Sequence, residues 1–323
     1  MKHLLLILTL LFMARLICRA NPPDYLTYDR EPTVQASQLA SPFTEFVTEQ
    51  PAGWLRPLSS EPFIRYAGFS LEPRLYYRSL QNSSGPQDAF AAGGSLNFTS
   101  GWWRDTLQLG VTGYTTQPVV APNGAGNTGL LRPNCDGLSV LGQAWAKVKA
   151  GPATATLFLQ SLQLPFINGN DSRMIPNTFE AYQLEVEPWE TFRLNFGYVA
   201  GMKPRTSATF EPMSEIAGAP QVNRGTSFAG FLLGSPERTY VGAISELTWD
   251  LFDATYVQAG RTWKFSQDLE IRGDVQFIDQ RSVGSELLGT FNTELYGAQL
   301  TARLKRLKAP RLNFSLMRFK ARD

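Results

Sequence analysis

The sequence is poor in histidine and cysteine. Its 323 residues include one histidine, His3, and two cysteines. His3 and Cys18 lie in a segment with the features of a removable signal peptide, so we expect the mature chain to keep no histidine and one thiol, Cys135. This excludes histidine-based catalysis, histidine metal sites and an internal disulfide, and we expect no cofactor.

Charged residues are also scarce, at 18%, whereas hydrophobic residues make up 43% and the chain has 27 glycines and 21 prolines. These proportions exclude a disordered polyelectrolyte and a charged helical bundle. A β-rich protein with many turns fits them better.

Residues 1–20 are predicted to be a secretory signal peptide. Lys2 precedes an apolar run over residues 4–12, and Cys18-Arg19-Ala20 offers small residues at the −3 and −1 positions of a cleavage site. A membrane anchor is the alternative, but the run is shorter than the roughly 18 to 20 residues that a spanning helix needs. Cleavage removes three basic residues and no acids, which leaves 27 basic and 28 acidic residues. The mature charge of −1 gives no support to nucleic-acid binding.

Past the signal, no apolar run is long enough for a membrane helix, which leaves a soluble periplasmic β protein or a membrane β-barrel. Residues 21–65 differ from the rest because seven prolines interrupt them. We interpret them as a periplasmic N-terminal leader, with a plug or docking helix built on Val34, Leu39 and Phe43 as the alternative. Residues 66–323 form the remaining domain.

From Phe69 onward the pattern has a period of two. Over residues 69–78 the odd positions are mainly apolar and the even ones carry Ser70, Glu72, Arg74 and Arg78. That pattern predicts a strand with one oily face and one polar face. Thirteen such strands are predicted, near 69–78, 89–99, 106–115, 139–149, 154–164, 179–187, 191–200, 227–233, 239–249, 254–265, 269–279, 291–303 and 311–320.

The predicted links alternate in length. Links after even-numbered strands are short, and most links after odd-numbered strands are long, as in 116–138, 165–178 and 201–226. Four tryptophans lie at or near the short links, at positions 102, 103, 189 and 263. Sorted links and an aromatic girdle are typical of an outer-membrane barrel, and a soluble β protein would not be expected to show them. The fold class is therefore all-β, a transmembrane antiparallel β-barrel.

In such a barrel the polar strand positions line the lumen. The candidate pore-lining residues on the strands are Arg74, Arg78, Lys147 and Arg193. Guanidinium groups stepped along a wall offer successive bidentate sites to a carboxylate. Solvated charges neutralised by acidic neighbours such as Glu72 are the alternative interpretation.

Several strings in the chain resemble the OprD-type outer-membrane porins, in order over about residues 66–320. These strings are Arg74-Leu75-Tyr76-Tyr77, residues 96–102, residues 128–131, Leu164-Pro165-Phe166, residues 171–179 and Lys203-Pro204-Arg205-Thr206-Ser207.

The resemblance implies an 18-stranded substrate-selective channel in the outer membrane, narrowed by inward-folded loops and a row of basic side chains. It places Arg74 in that row and Arg173, with Asp171 beside it, in the third-loop constriction. Lys147 and Arg205 match less closely. The chain ends on Asp323 rather than on an aromatic residue, and thirteen strands is an odd count. We therefore expect a barrel that is incomplete at the C-terminus.

The function expected is passive uptake of small carboxylate-bearing solutes, such as amino acids and aromatic or other organic acids. The alternatives are a non-transporting adhesin or scaffold and a non-functional truncated porin. An enzyme is not expected. The expected partners are outer-membrane lipid, carboxylate solutes and the barrel-assembly machinery, without nucleic acid, and the chain could act as a monomer or a homo-oligomer.

Overall fold

The computed structural model describes residues 61–82, 85–122, 124–235, 237–304 and 311–322. The predicted signal peptide and nearly all of the predicted leader, including its candidate helix, lie outside these residues. In the described ranges no helix is both long and apolar enough to cross a membrane.

Fourteen strands form one antiparallel sheet. They are β1 (Gly68–Asn82), β2 (Gly85–Thr99), β3 (Leu107–Val120), β4 (Leu138–Ala150), β5 (Ala153–Gln160), β6 (Thr178–Trp189), β7 (Phe192–Lys203), β8 (Glu211–Pro212), β9 (Thr226–Gly234), β10 (Thr239–Thr248), β11 (Phe252–Lys264), β12 (Leu269–Ser282), β13 (Asn292–Leu304) and β14 (Arg311–Arg322). Each long strand pairs with the next long strand in the chain, while β8 pairs with β7 alone. β1 and β14 lie at the two edges of the sheet.

The thirteen long strands are the thirteen predicted ones, and the all-β expectation is confirmed. The two-residue β8 was not predicted, because two residues carry no periodic signal. Helical structure is limited to α1 (Pro62–Arg65), α2 (Met213–Ile216) and a 3-10 turn at Ala125–Thr128 in the ranges listed above.

The links sort onto two rims. Residues 100–106, 151–152, 190–191, 235–238 and 265–268 make short links on one rim. The opposite rim carries the second loop (121–137), the third loop (161–177), the fourth loop (204–225) and the sixth loop (283–291). β1 and β2 extend further than predicted, since β1 ends at Asn82 and β2 begins at Gly85. The link at 249–251, on the long-loop rim, is short.

The two faces of the sheet differ as the alternation predicts. One face exposes large apolar side chains, for example Leu71 at 69% and Leu75 at 73% on β1. On the other face of β1, Arg74 and Arg78 bind residues of the third and second loops. The apolar face is therefore the outer one, and the loops cover the inner face.

The second and third loops fold onto the inner face and make the buried core there. Leu162, Leu164 and Ile167 of the third loop pack against wall residues such as Phe228 and Ile244. A second cluster joins both loops to the β2–β4 side of the wall, through Leu130, Leu131, Met174 and Ile175 packed with Ala89, Ala91, Tyr114 and Leu138. Apolar burial fixes both loops across the interior.

Candidate solute-binding constriction

An ion pair ties the third loop to the first strand. Arg74 on β1 donates from Nη1 to Asp171 Oδ1 at 2.5 Å and from Nη2 to Asp171 Oδ2 at 2.7 Å. Its Nη1 also donates to the carbonyl oxygen of Arg173 at 3.1 Å. A bidentate arginine–carboxylate pair fixes orientation as well as distance. Arg74 therefore holds the backbone at Arg173 in place.

Three arginines from separate elements converge over Gly129 in the second loop. A Cβ atom placed on Gly129 would lie 3.7 Å from Cδ of Arg205, 3.8 Å from Nη1 of Arg78 and 3.9 Å from Nε of Arg173. Gly129 has a φ of 72°, which a residue without a Cβ adopts at little cost. We call Arg78, Arg173 and Arg205 the arginine cluster.

The arginine cluster is held partly by backbone and hydroxyl oxygens. Arg78 Nη1 donates to Thr128 O at 2.5 Å, Arg173 Nη1 donates to Ser172 O at 2.6 Å, and Arg205 Nη1 donates to Ser172 Oγ at 3.4 Å. Within the described part of the chain, the buried Nε of Arg173 has no hydrogen-bond acceptor. A buried donor without an acceptor is unusual in a folded protein and marks a place where an anion would be stabilised.

Like charges crowd this cluster. Burial, and then the nearby guanidinium groups of Arg173 and Arg78, lower the pKa of Arg205, which lies in the fourth loop, while Asp171 acts in the opposite direction. Three cations at this spacing repel one another, so a bound anion would relieve part of the repulsion.

A polar cavity of about 370 Å³ lies beside the Arg74–Asp171 pair. Its lining includes Glu72, Asn97, Thr112, Tyr114, Gln143 and Trp145. Gln143 Nε2 donates to the hydroxyl of Tyr114 at 2.6 Å. Hydroxyls, amides and charges of both signs make this a water-compatible passage wall.

Two of the predicted pore-lining residues lie apart from this cluster. Lys147 on β4 places its ammonium group 5.3 Å from the centroid of the Trp145 ring. Arg193, near the short-link end of β7, donates from Nε to Glu187 Oε1 at 2.5 Å. The structure therefore brings together Arg74, Arg78, Asp171, Arg173 and Arg205 but not Lys147 or Arg193.

Two charged residues beneath the loops were missed by sequence reasoning. The Glu246 side chain is buried on β10 and accepts a hydrogen bond from Phe166 N at 3.2 Å. Lys203 is also buried, and its ammonium group lies 3.3 Å from Pro204 O and 3.5 Å from Pro176 O. Glu246 occupies an inner-face position of β10, which was the available signal, but the loop contact that buries it is set by long-range packing.

Comparison with known proteins assigns this chain to a family. Residues 61–310 match the family model for the outer membrane porin, OprD family. The chain belongs to the OprD family of outer-membrane porins. It is therefore an outer-membrane protein, and the family consists of porin channels. Among curated protein sequences, none matches the chain.

Solved OprD-family structures share the fold. OccK9 (OpdG) of Pseudomonas aeruginosa is 22% identical, with a TM-score of 0.70, over 80% of this chain and 69% of that one. OpdK of the same organism, solved with vanillate, is 19% identical, with a TM-score of 0.68, over 80% and 67%. OccK2 (OpdF), also of that organism and solved in complex with glucuronate, is 19% identical, with a TM-score of 0.66, over 80% and 66%.

Proposed function

We propose that this porin admits small carboxylate-bearing solutes selectively, and that the arginine cluster is the site where the carboxylate passes. The observation that carries the proposal is the convergence of Arg78, Arg173 and Arg205 over Gly129, where the described residues offer no acceptor to the buried Nε of Arg173. Carboxylates accept paired N–H donors from guanidinium groups in a planar geometry, and neutral solutes cannot neutralise the cluster.

The elements that hold the cluster support the proposal. Arg173 and Arg205 reach it from the third and fourth loops, while Arg78 reaches it from the wall on β1. Arg74 is used differently, because Asp171 takes both of its terminal nitrogens. We assign to Arg74 the role of a positioning residue and to Arg78, Arg173 and Arg205 the contact with the solute.

Charges of both signs lie close to this point. Asp171 acts on Arg205 of the cluster, and Glu72 Oε2 is 3.8 Å from Nη2 of Arg74, which binds Asp171. Opposed charges across a narrow passage create a transverse field that would orient a dipolar solute with its carboxylate toward the arginines. Small organic acids, including amino acids, are the proposed substrate class. OpdK with vanillate and OccK2 with glucuronate are family precedents for carboxylate ligands.

Liposome swelling tests this proposal with a pair of solutes of similar size. Purified protein is reconstituted, and the swelling rates in glucuronate and in glucose are compared for the wild type and for Arg173→Gln. We expect faster swelling in glucuronate for the wild type and a reduced ratio for the variant. Equal wild-type rates would overturn the selectivity, and no swelling in either solute would favour a non-transporting or non-functional barrel.

A further inference from the structure

A groove runs along the outer face of the sheet where β10 to β14 lie side by side. Its volume is about 760 Å³. Its lining combines small residues, including Ala259, Gly273 and Ala298, with larger side chains such as Val275, Leu300 and Phe314. Since small residues alternate with bulky ones on this face, the wall has a depression rather than a flat surface.

The Trp263 ring lies over Gly273 in this groove. A Cβ atom on Gly273 would lie 3.1 Å and 3.3 Å from two carbons of the Trp263 ring and 3.8 Å from Cδ1 of Leu300. Trp263 is the penultimate residue of β11, and the short link 265–268 follows. In outer-membrane barrels short links face the periplasm and aromatic rings lie at the membrane interface, so the groove opens in the periplasmic leaflet.

The Arg261 side chain places a positive charge at the same end of the groove. Arg261 is exposed, lies two residues before Trp263 on the outer face and lines the groove, with its guanidinium carbon 5.9 Å from the centroid of the Trp263 ring. Among the residues that the structure describes, Arg261 has no ion-pair partner. A charge on the lipid-facing side of a barrel is costly unless an anion or water solvates it.

We propose that this groove binds one phospholipid of the periplasmic leaflet, with an acyl chain packed on Ala259 and Ala298 and the phosphate on Arg261. A guanidinium group binds phosphate through paired N–H donors, and its stacking on an aromatic ring fixes its plane. A phospholipid fits this groove because its phosphate complements the charge of Arg261 and because Trp263 places the groove at the membrane interface.

The dimensions support a lipid more than a second protein chain. A volume of about 760 Å³ falls in the range of about 300 to 1,000 Å³ that is typical of pockets for small ligands. A stable protein interface instead buries about 800 Å² on each partner over a broad complementary surface. A second copy of the chain is therefore an outcome of the test and not the proposal.

Native mass spectrometry of the purified full chain in detergent tests the site. Delipidated protein is titrated with dipalmitoyl phosphatidylglycerol, and the dissociation constant is measured for the wild type, Ala298→Leu and Ala243→Leu. Ala298→Leu fills the groove, while Ala243→Leu makes the same change on the outer face of β10 outside the groove lining. We expect one tightly bound lipid, about tenfold weaker binding in Ala298→Leu, and a change of less than about twofold in Ala243→Leu.

The headgroup is tested separately with Arg261→Gln. This variant should bind phosphatidylglycerol about tenfold more weakly, but it should bind dipalmitoylglycerol, which lacks the phosphate, like the wild type. Equal phosphatidylglycerol affinities in Ala298→Leu and Ala243→Leu would contradict the proposal that the lipid binds in the groove. Preferential retention of lipid A would contradict the assignment to the periplasmic leaflet. A dimer that dissociates in Ala298→Leu but not in Ala243→Leu would show that a second copy of the chain, and not a lipid, occupies the groove.

Discussion

Arg74 and Asp171 are 97 residues apart in the chain and are joined by two hydrogen bonds, at 2.5 and 2.7 Å. Arg74 was predicted as a member of the basic row that meets the solute. In the structure the Arg74 guanidinium group binds the third loop instead. Besides Asp171, it binds the backbone carbonyl oxygen of Arg173, which lies 3.1 Å from Arg74 Nη1. In the proposed function the row therefore divides into Arg74, which positions the loop, and the arginine cluster, which would meet the solute.

Asp171→Ala should loosen the third loop without unfolding the barrel. The pair is partly exposed, with side-chain exposures of 26% and 45%, so we expect the free energy of unfolding to fall by about 1 kcal/mol or less. Open-channel current noise in planar bilayers should rise, because the loop crosses the interior. Asp136→Ala in the second loop is the matched control, and equal noise in both variants would show that the pair does not restrain the loop.

Gly129→Ala tests the space between the arginines. The positive φ makes any side chain unfavourable there by about 1 to 3 kcal/mol, and the added methyl group would also occupy the centre of the arginine cluster. Gly289→Ala carries a similar backbone penalty, with a φ of 89° and open space around the Cβ. Both variants should lose stability in chemical denaturation, but a selective loss of glucuronate flux is expected for Gly129→Ala alone. A matching flux loss in both would assign the effect to stability.

Glu246 should anchor the third loop through its oxygen and not through its charge. Glu246→Gln keeps an acceptor for Phe166 N, whereas Glu246→Leu removes the acceptor of this partly buried N–H. A fully buried donor that loses its acceptor costs about 1 to 3 kcal/mol, so we expect a smaller loss here. Hydrogen exchange at the Phe166 amide should therefore accelerate in the Leu variant and stay near the wild-type rate in the Gln variant. Similar acceleration in both would show that the ionised carboxylate is required.

The Asp250 carboxylate should make the stability of the loops on the long-loop rim depend on pH in the acid range. Hydrogen bonds from Arg224, at 2.9 and 3.3 Å, and from Ser285 N, at 3.2 Å, hold the pKa of Asp250 below its ordinary value of 3.8. A carboxylate whose pKa is lower in the folded than in the unfolded protein stabilises the fold at pH values above its ordinary pKa. That stabilisation is lost as the pH falls through the lowered pKa. Amide exchange at Ser285 should be faster in Asp250→Asn than in the wild type at neutral pH, and the difference should narrow below pH 3.8. A pH-independent difference would contradict the role of this carboxylate.

The strands could be predicted from the sequence, whereas the contacts of the loops could not. Alternation places Leu71 and Leu75 on one face and Arg74 on the other because successive side chains in any strand point to opposite sides. The resemblance to the OprD family identified Arg173 and Asp171 as third-loop residues. No local pattern shows that Asp171 binds Arg74 or that Phe166 covers Glu246, since both depend on where two inward-folded loops pack. The predicted domain boundaries and the signal peptide stay predictions.

The central claim is that the arginine cluster selects anions, and the reversal potential tests it most directly. Wild-type protein and Arg173→Gln are inserted into planar bilayers under a gradient of potassium chloride, with Arg104→Gln in the short link 100–106 as the control. We predict that the wild type prefers chloride, that Arg104→Gln matches it, and that Arg173→Gln shifts the reversal potential toward cation preference. An Arg173→Gln channel with the wild-type reversal potential would contradict the account.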